Sequence, residues 1–397
     1  MQRLTDSSSF PGEKQSVGNK ARHQPDWGDH ADLAEVRRHL TAHPGLVTAE
    51  DTAVLRSLLA DVAAGNAHVI QAGDCAEDPA ESTADYVARK SGLIDVLAGT
   101  MQMNTHRPVL RVGRIAGQYA KPRSRPTETV GGRELPVYRG HMVNGPEPDT
   151  ELRRPDPRRM LACYRSAAET IEHLGWNGTD HPWHSAPRIW TSHEALVLDY
   201  EEPLLRHDAE GRLHLASTHW PWVGERTRQP DGAHVALLAA VANPVACKVG
   251  PGMSEADLLQ LCALLDPDRE PGRLTLISRM GPAVSSHLPP LVKAVHAAGH
   301  PVIWLCDPMH GNTVTTSGGL KTRYLDAVLR EAEHFQCAVR SSNGVAGGLH
   351  LEVTPDAVTE CVAGSGCQDQ VADKYTTLCD PRLNPVQAVS IAASWTA

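Results

Sequence analysis

The sequence predicts an α/β protein built as a (β/α)8 TIM barrel preceded by a short helical extension. Three observations carry that expectation. From residue 67 onward eight short apolar, β-branched runs recur, at 68–72, 109–115, 188–198, 222–224, 245–249, 274–278, 302–306 and 349–353. Several place Val, Leu or Ile at consecutive rather than alternating positions, which suits parallel strands buried on both faces. Amphipathic helical stretches lie between them, such as 255–265, 288–298 and 321–334, as repeated β–α units require. Eight strands favour a closed barrel over a doubly wound sheet.

Before the barrel, residues 1–24 are polar, rich in Ser, Gly, Lys and Gln, and read as a mobile tail, with order beginning near Trp27. Two helical patterns follow, one over 32–40 and one from about 49, where Thr48 can cap and Val54, Leu55, Leu58, Leu59 and Val62 form an apolar face. The expected organisation is therefore a tail over 1–24, a helical extension over 25–66 and a catalytic barrel over 67–397.

Composition narrows the partners. The 397 residues are 41% hydrophobic and 21% charged, ordinary for a soluble globular chain, and 38 Lys+Arg against 47 Asp+Glu give a formal charge of −9. A protein that wraps DNA or RNA normally shows the opposite balance, so nucleic acid is not expected. No apolar run approaches the roughly 20 residues of a membrane helix, and no signal-type apolar segment opens the chain. The expectation is a cytoplasmic protein that neither spans nor binds a membrane. Its nine cysteines then read as reduced thiols, among which any special one is a metal ligand or a nucleophile.

The polar residues that end the strands divide into two chemical groups, which a barrel would bring to one face. Cys75, His310, Glu352 and Asp380 form a metal-like set: a thiol, an imidazole and two carboxylates suit Mn2+, Fe2+, Co2+ or Zn2+. Taken singly each has an ordinary structural reading, Cys75 as a small buried residue and Asp380 as a turn residue before Pro381. Convergence in a barrel is what lifts them. Arg114, Lys121, Arg123, Arg226, Lys248 and Arg279 form a cationic set. Lys and Arg are rarely buried near strand ends unless paired, so several at one mouth imply either ion pairs or a bound polyanion.

The same segments resemble a known family. The run Gln71-Ala-Gly-Asp-Cys-Ala-Glu77, the run Arg111-Val-Gly-Arg-Ile-Ala-Gly-Gln-Tyr-Ala-Lys-Pro-Arg-Ser124 and Thr191-Ser-His-Glu-Ala-Leu-Val-Leu-Asp-Tyr-Glu201 are similar to type II 3-deoxy-D-arabino-heptulosonate 7-phosphate (DAHP) synthases of short form. So are Gly224-Glu-Arg-Thr-Arg-Gln229, Ser278-Arg-Met-Gly281, Cys306-Asp-Pro-Met-His-Gly-Asn-Thr313, Gly347-Gly-Leu-His-Leu-Glu352 and Cys379-Asp-Pro-Arg-Leu-Asn384. The resemblance runs from about residue 26 onward, keeps motif order, and implies the same barrel fold.

It also implies roles. Cys75, His310, Glu352 and Asp380 would bind a divalent metal, Mn2+ first among the candidates. Arg114, Glu225, Arg226, Lys248 and Arg279 would hold phosphoenolpyruvate, and Lys121, Arg123 and Ser124 would face erythrose 4-phosphate. The implied reaction is an aldol-like condensation of the two with water, giving DAHP and phosphate, the first step of the shikimate route to aromatic amino acids, with a possible supply to secondary metabolism. Glu225, Lys248 and His310 are all candidates to relay protons. An aminoDAHP synthase using an imino or amino erythrose phosphate analogue is the nearest competing activity. A non-catalytic regulatory partner of chorismate mutase is the competitor from another class. A homo-oligomer, most simply a dimer, is expected.

Long family members carry extra helices between the second helix and third strand, where aromatic amino acids act as feedback inhibitors. Here Leu174 passes to Arg188 through a short Trp/Asn/Gly/His/Pro segment. Weak or absent inhibition by phenylalanine or tryptophan is therefore expected, and a steady-state rate depressed by micromolar amounts of either would overturn this.

Overall fold

Eight parallel strands follow one another around a closed ring in the computed structural model, which describes residues 21–28, 32–176 and 188–397. They are β1 (His68–Gly73), β2 (Val109–Arg114), β3 (Ile189–Glu194), β4 (Trp220–Val223), β5 (Val245–Val249), β6 (Leu274–Ser278), β7 (Ile303–Cys306) and β8 (Val345–Glu352). Every sequence-predicted run contributes a strand. β1 pairs in parallel with both β2 and β8, so the ring has no open edge. Most of the predicted tail, and the connection at 177–187, lie outside the described residues.

The helices are α1 (Asp32–Ala42), α2 (Ala49–Ala63), α3 (Ala84–Thr105), α4 (Arg158–His173), α5 (Ala233–Ala240), α6 (Glu255–Leu265), α7 (Val284–Ala297), α8 (Leu325–Arg340) and α9 (Pro385–Ala393). Between β3 and β4 the expected helix shrinks to one turn at Leu198–Glu201 and a hairpin, Leu205–His207 with Leu213–Leu215. Two further hairpins rise from the strand C-terminal side: Thr127–Val130 with Arg133–Pro136, and Thr313–Thr315 with Lys321–Arg323. None among the helices of the described residues is long and apolar enough to cross a membrane.

Two helix boundaries depart from expectation for identifiable reasons. The stretch predicted as helix over 321–334 begins as a strand, because Lys321–Arg323 pairs with Thr313–Thr315, and the helix starts only at Leu325. The helix predicted from 288 begins a turn earlier, at Val284, and runs through Pro289 and Pro290. Each proline forfeits a backbone donor, which is why the sequence pattern places the start later.

Both faces of the strands are apolar. Ile70, Ala72, Cys247 and Leu276 pack outward among helix residues, while Val69, Val112, Trp190, Trp222, Ile277 and Leu305 fill the interior. Residues of opposite facing alternate along a strand, so double burial produces the consecutive apolar positions seen in the sequence.

The helix α2 belongs to that interior core. Thr48 caps it by accepting from the Asp51 amide at 3.1 Å, and Leu55, Leu59 and Val62 are fully buried in one cluster with the inward-facing strand residues. Val54, expected on the same face, points to solvent instead, 53% exposed. Arg56 donates to Ala242 O before β5, and Gly272 before β6 lies against the α2 backbone near Arg56 and Ala60. The contacts fall at the strand N-terminal ends, so α2 closes the barrel from below.

Leu59→Ala should accordingly lower stability by about 2–5 kcal/mol, the range for a large-to-small change in a packed core. Denaturant unfolding followed by fluorescence measures it, and a loss below about 1 kcal/mol would mean that α2 only rests on the barrel.

Candidate active site

Opposite α2 the barrel interior turns polar. Gln71 on β1 donates through Nε2 to Ser192 Oγ on β3 at 3.0 Å, which leaves its Oε1 to accept from His350 Nδ1 on β8 at 2.6 Å. This fixes the His350 tautomer, so Nε2 carries the lone pair that faces the Arg114 guanidinium. Burial, reinforced by Lys248 and Arg114, holds the His350 pKa well below its ordinary value, and the ring is neutral. Arg114 then donates to Glu352 Oε1 at 3.0 Å.

Glu352 anchors the metal-like set. The β1–β8 register sets Gly73 beside Glu352, so Cys75, two residues beyond, arrives at the same carboxylate. One donor atom each from Cys75, Glu352 and Asp380 lies within 4.8 Å of the others. His310 reaches Glu352 Oε1 through Nε2 at 3.1 Å, while its Nδ1 meets Asp307 Oδ2 at 2.8 Å. Lys121 sits at the centre: its ammonium is 2.7 Å from Cys75 Sγ, 3.0 Å from Glu352 Oε1 and 2.9 Å from Asp380 Oδ2. Burial alone would raise both carboxyl pKa values. For Glu352, His310, Lys121 and Arg323 overcome that effect, and for Asp380, Lys121 and Arg323 do; both are held well below the usual range. Burial pushes the Cys75 thiol well up, opposed by Lys121.

Three buried carboxylates of other origin hold the loops that carry these groups. Glu77 accepts from three successive amides, Ala116, Gly117 and Gln118, at 2.9, 2.8 and 2.6 Å. That clamp stabilises the left-handed turn at Ala116, φ 61°, and sets the course of the chain from Arg114 to Lys121. Glu360 and Asp74 share Arg382, at 3.0 and 3.1 Å, and thereby hold Asp380 close to Cys75, whose sulfur accepts from the Asp380 amide at 3.1 Å. Cys379 packs against Cys75 and Tyr138.

Above this floor opens a cleft of about 700 Å³, lined by all six sequence-predicted cations together with Ser124, Glu225, His310 and Asp380. Cys75 and Glu352 lie buried directly beneath it. All the predicted site residues thus meet at one barrel end, although their partners differ. Lys248 pairs with Asp307 at 2.6 Å, and Arg279 donates to His310 O at 3.0 Å. Arg226 donates to Ser124 Oγ at 2.9 Å, Glu225 pairs with Arg228 at 2.7 Å, and Arg123 with Glu128 at 3.0 Å. Lys121, which the resemblance turns toward a second phosphate, faces the metal-like set.

Two groups escape the sequence reading, one in the cleft and one buried beside Glu352. Glu194 ends β3, and its Oε1 is buried without a hydrogen-bond partner. Burial raises its pKa, opposed by Lys121, Lys248, Arg226 and His310. Space for it exists because residue 224 is glycine: a Cβ there would stand 2.0 Å from Glu194 Oε1. The predicted strand ran on to residue 198, which left Glu194 in mid-strand instead of at the mouth. The second group is Arg323, fully buried and 2.7 Å from Glu352 Oε2, on the hairpin that the sequence pattern assigned to a helix.

The model of the class-II DAHP synthetase family matches residues 13–180 and 171–396. The chain belongs to the class-II DAHP synthetase family. A probable phospho-2-dehydro-3-deoxyheptonate aldolase of Pseudomonas fluorescens is 54% identical over 380 residues, covering 95% of each chain. A phospho-2-dehydro-3-deoxyheptonate aldolase of Streptomyces coelicolor is 39% identical and covers 94% of each. The solved structure of a phospho-2-dehydro-3-deoxyheptonate aldolase from Francisella tularensis superposes with a TM-score of 0.56 at 13% identity, over 91% of this chain and 96% of that one. At that identity the superposition speaks for the shared barrel fold alone. Membership of the class-II DAHP synthetase family makes the chain a transferase-type enzyme.

Proposed function

We propose that the chain condenses phosphoenolpyruvate with erythrose 4-phosphate and water to give DAHP and phosphate, opening the shikimate route. The observation that carries this reading is the meeting of six cations and a thiol–imidazole–carboxylate set at one barrel mouth. The two substrates together bring about five negative charges into one pocket, and their mutual repulsion there would cost many kcal/mol without fixed cations. Arg114, Arg226, Lys248 and Arg279 suit the phosphate and carboxylate of phosphoenolpyruvate, with Glu225 beside them. Arg123 and Ser124 line the outer cleft and suit the phosphate of the second substrate.

Cys75, His310, Glu352 and Asp380 are the residues that would hold a divalent ion. Their fit to a cation is supported by Lys121, whose ammonium three of them already surround. A thiol mixed with imidazole and carboxylates accommodates Mn2+ first, and Co2+, Fe2+ or Zn2+ equally by donor type. When bound, such an ion supplies Lewis-acid polarisation of an aldehyde oxygen.

The remaining chemistry falls to side chains. C3 of phosphoenolpyruvate forms a bond to the aldehyde carbon, whose oxygen takes up a proton. Water adds at C2, left electron-poor when the C2=C3 pair forms the new bond, and loses one proton. The C2–O bond to phosphate then breaks, phosphate leaving with the bonding pair as the C2 hydroxyl gives up its proton to become the ketone. Glu194 and Glu225 each keep one oxygen in the cleft without a partner, Oε1 of the first and Oε2 of the second, whose Oε1 Arg228 engages, so either suits the acceptance of the water proton. Lys248 is a suitable donor, because burial lowers its pKa to about 8 against the opposing pull of Asp307.

Two measurements test the reading. With phosphoenolpyruvate, erythrose 4-phosphate and Mn2+, Cys75→Ala should lose most turnover, and calorimetric Mn2+ affinity should fall at least about 100-fold, beyond the usual effect of losing an outer partner. Full Mn2+-dependent activity in that variant would remove Cys75 from the site. The second is a pH series. Lys248 is charged below about pH 8 and neutral above it, so phosphoenolpyruvate affinity should weaken by up to about tenfold per pH unit on the alkaline side. Lys248→Met should bind weakly with a flat profile, and a flat profile in the unmodified enzyme would exclude Lys248 as the anion's partner.

A further inference from the structure

Glu331 belongs to neither set of site residues, yet it joins the loops that carry them. It lies on α8, outside the ring and 3% exposed, and takes no part in lining the cleft. Its Oε1 accepts from the Gly281 amide at 2.7 Å, two residues beyond Arg279. Its Oε2 accepts from Asn312 Nδ2 at 2.6 Å, two residues beyond His310. The same Asn312 amide also donates to Pro308 O at 2.9 Å, so both ends of the loop after β7 are tied to this one carboxylate.

The two loops touch backbone to backbone where Glu331 grips them. Gly281 has φ 60°, and a Cβ there would stand 2.6 Å from Gly311 O, while a Cβ on Gly311 would stand 2.4 Å from Gly281 N. Only a pair of glycines permits that approach. On the cleft side the contact is completed by Arg279, which donates to His310 O at 3.0 Å, and at its base by the Asp307 amide, which donates to Ser278 O at 2.7 Å. A shift of the β6 loop must therefore carry the β7 loop with it. Maintaining a carboxylate here is unfavourable, since burial pushes Glu331 up to about 8. A buried acid retained at such a cost is over-determined by its two amide donors.

We propose that Glu331 is a positioning residue that couples the anion site at Arg279 to the metal ligand His310, so that filling either site pre-sets the other. This rests on the assignment of phosphoenolpyruvate to Arg279 and of the metal to His310 made above. Coupling between two sites is reciprocal and is read as a ratio of affinities. A residue with a merely structural role would change stability, or both affinities, and would leave that ratio alone.

The test is calorimetric titration of the whole enzyme with phosphoenolpyruvate, with and without saturating Mn2+. In the unmodified protein Mn2+ should tighten phosphoenolpyruvate binding about fivefold or more. Glu331→Gln sets an amide donor against Asn312 Nδ2, and should bind Mn2+ alone and phosphoenolpyruvate alone within about twofold of the parent while its ratio falls toward one. Asn312→Ala, which breaks the bridge from the loop side, should do the same, and decides the matter if Glu331→Gln fails to fold. A ratio preserved in the folded variants overturns the coupling role, as does a ratio of one in the unmodified protein that binds both ligands. An unmodified protein that binds neither would instead sink the proposed function, an outcome distinct from loss of coupling alone.

Discussion

Glu352 ends β8 with no exposure to solvent, and a carboxylate in that position without partners would destabilise the fold by several kcal/mol. Arg114 from β2, Lys121 from the loop beyond it, Arg323 from the third hairpin and His310 from the loop after β7 answer that charge, all within 3.1 Å. Two of these partners come from β2 and the loop after it, and two from the connection between β7 and α8. The need to neutralise one buried charge thus draws together segments distant in sequence, and Arg114 in turn orients His350 and, through it, Gln71 and Ser192. A site whose members answer one another is rigid before any ligand arrives, as electrostatic preorganisation requires.

Most of this was legible in the sequence, for a physical reason. Double burial writes itself into consecutive apolar residues, and a barrel delivers all strand ends to one face, so Cys75, Lys248 and Glu352 could be grouped without any contact information. What failed was boundary placement. Running β3 on to residue 198 hid Glu194, and reading Lys321–Arg323 as the start of a helix hid the arginine that pairs with Glu352. A three-residue strand carries too little periodicity to compete with the helical pattern that follows it. The clamps by Glu77, Glu331 and Glu360 were illegible for another reason: a buried carboxylate that accepts from amides leaves no spacing signature.

The formal charge of −9 and the cationic cleft do not conflict. Nucleic acid needs a broad basic surface, whereas two small phosphates need a few cations focused by low-dielectric walls. The acidic excess is spent in part on the internal ion pairs that hold those cations in place, such as Asp307 with Lys248 and Glu128 with Arg123.

The apolar closure by α2 has a consequence for traffic. With Leu55, Leu59 and Val62 packed across the strand N-terminal ends, the interior opens, among the described residues, through the cleft at the other end. Within that cleft the buried floor at Arg114 and Lys248 lies beneath a more exposed rim to which Arg123, Ser124 and Arg226 contribute. A ligand held at the rim would therefore stand between the floor and solvent.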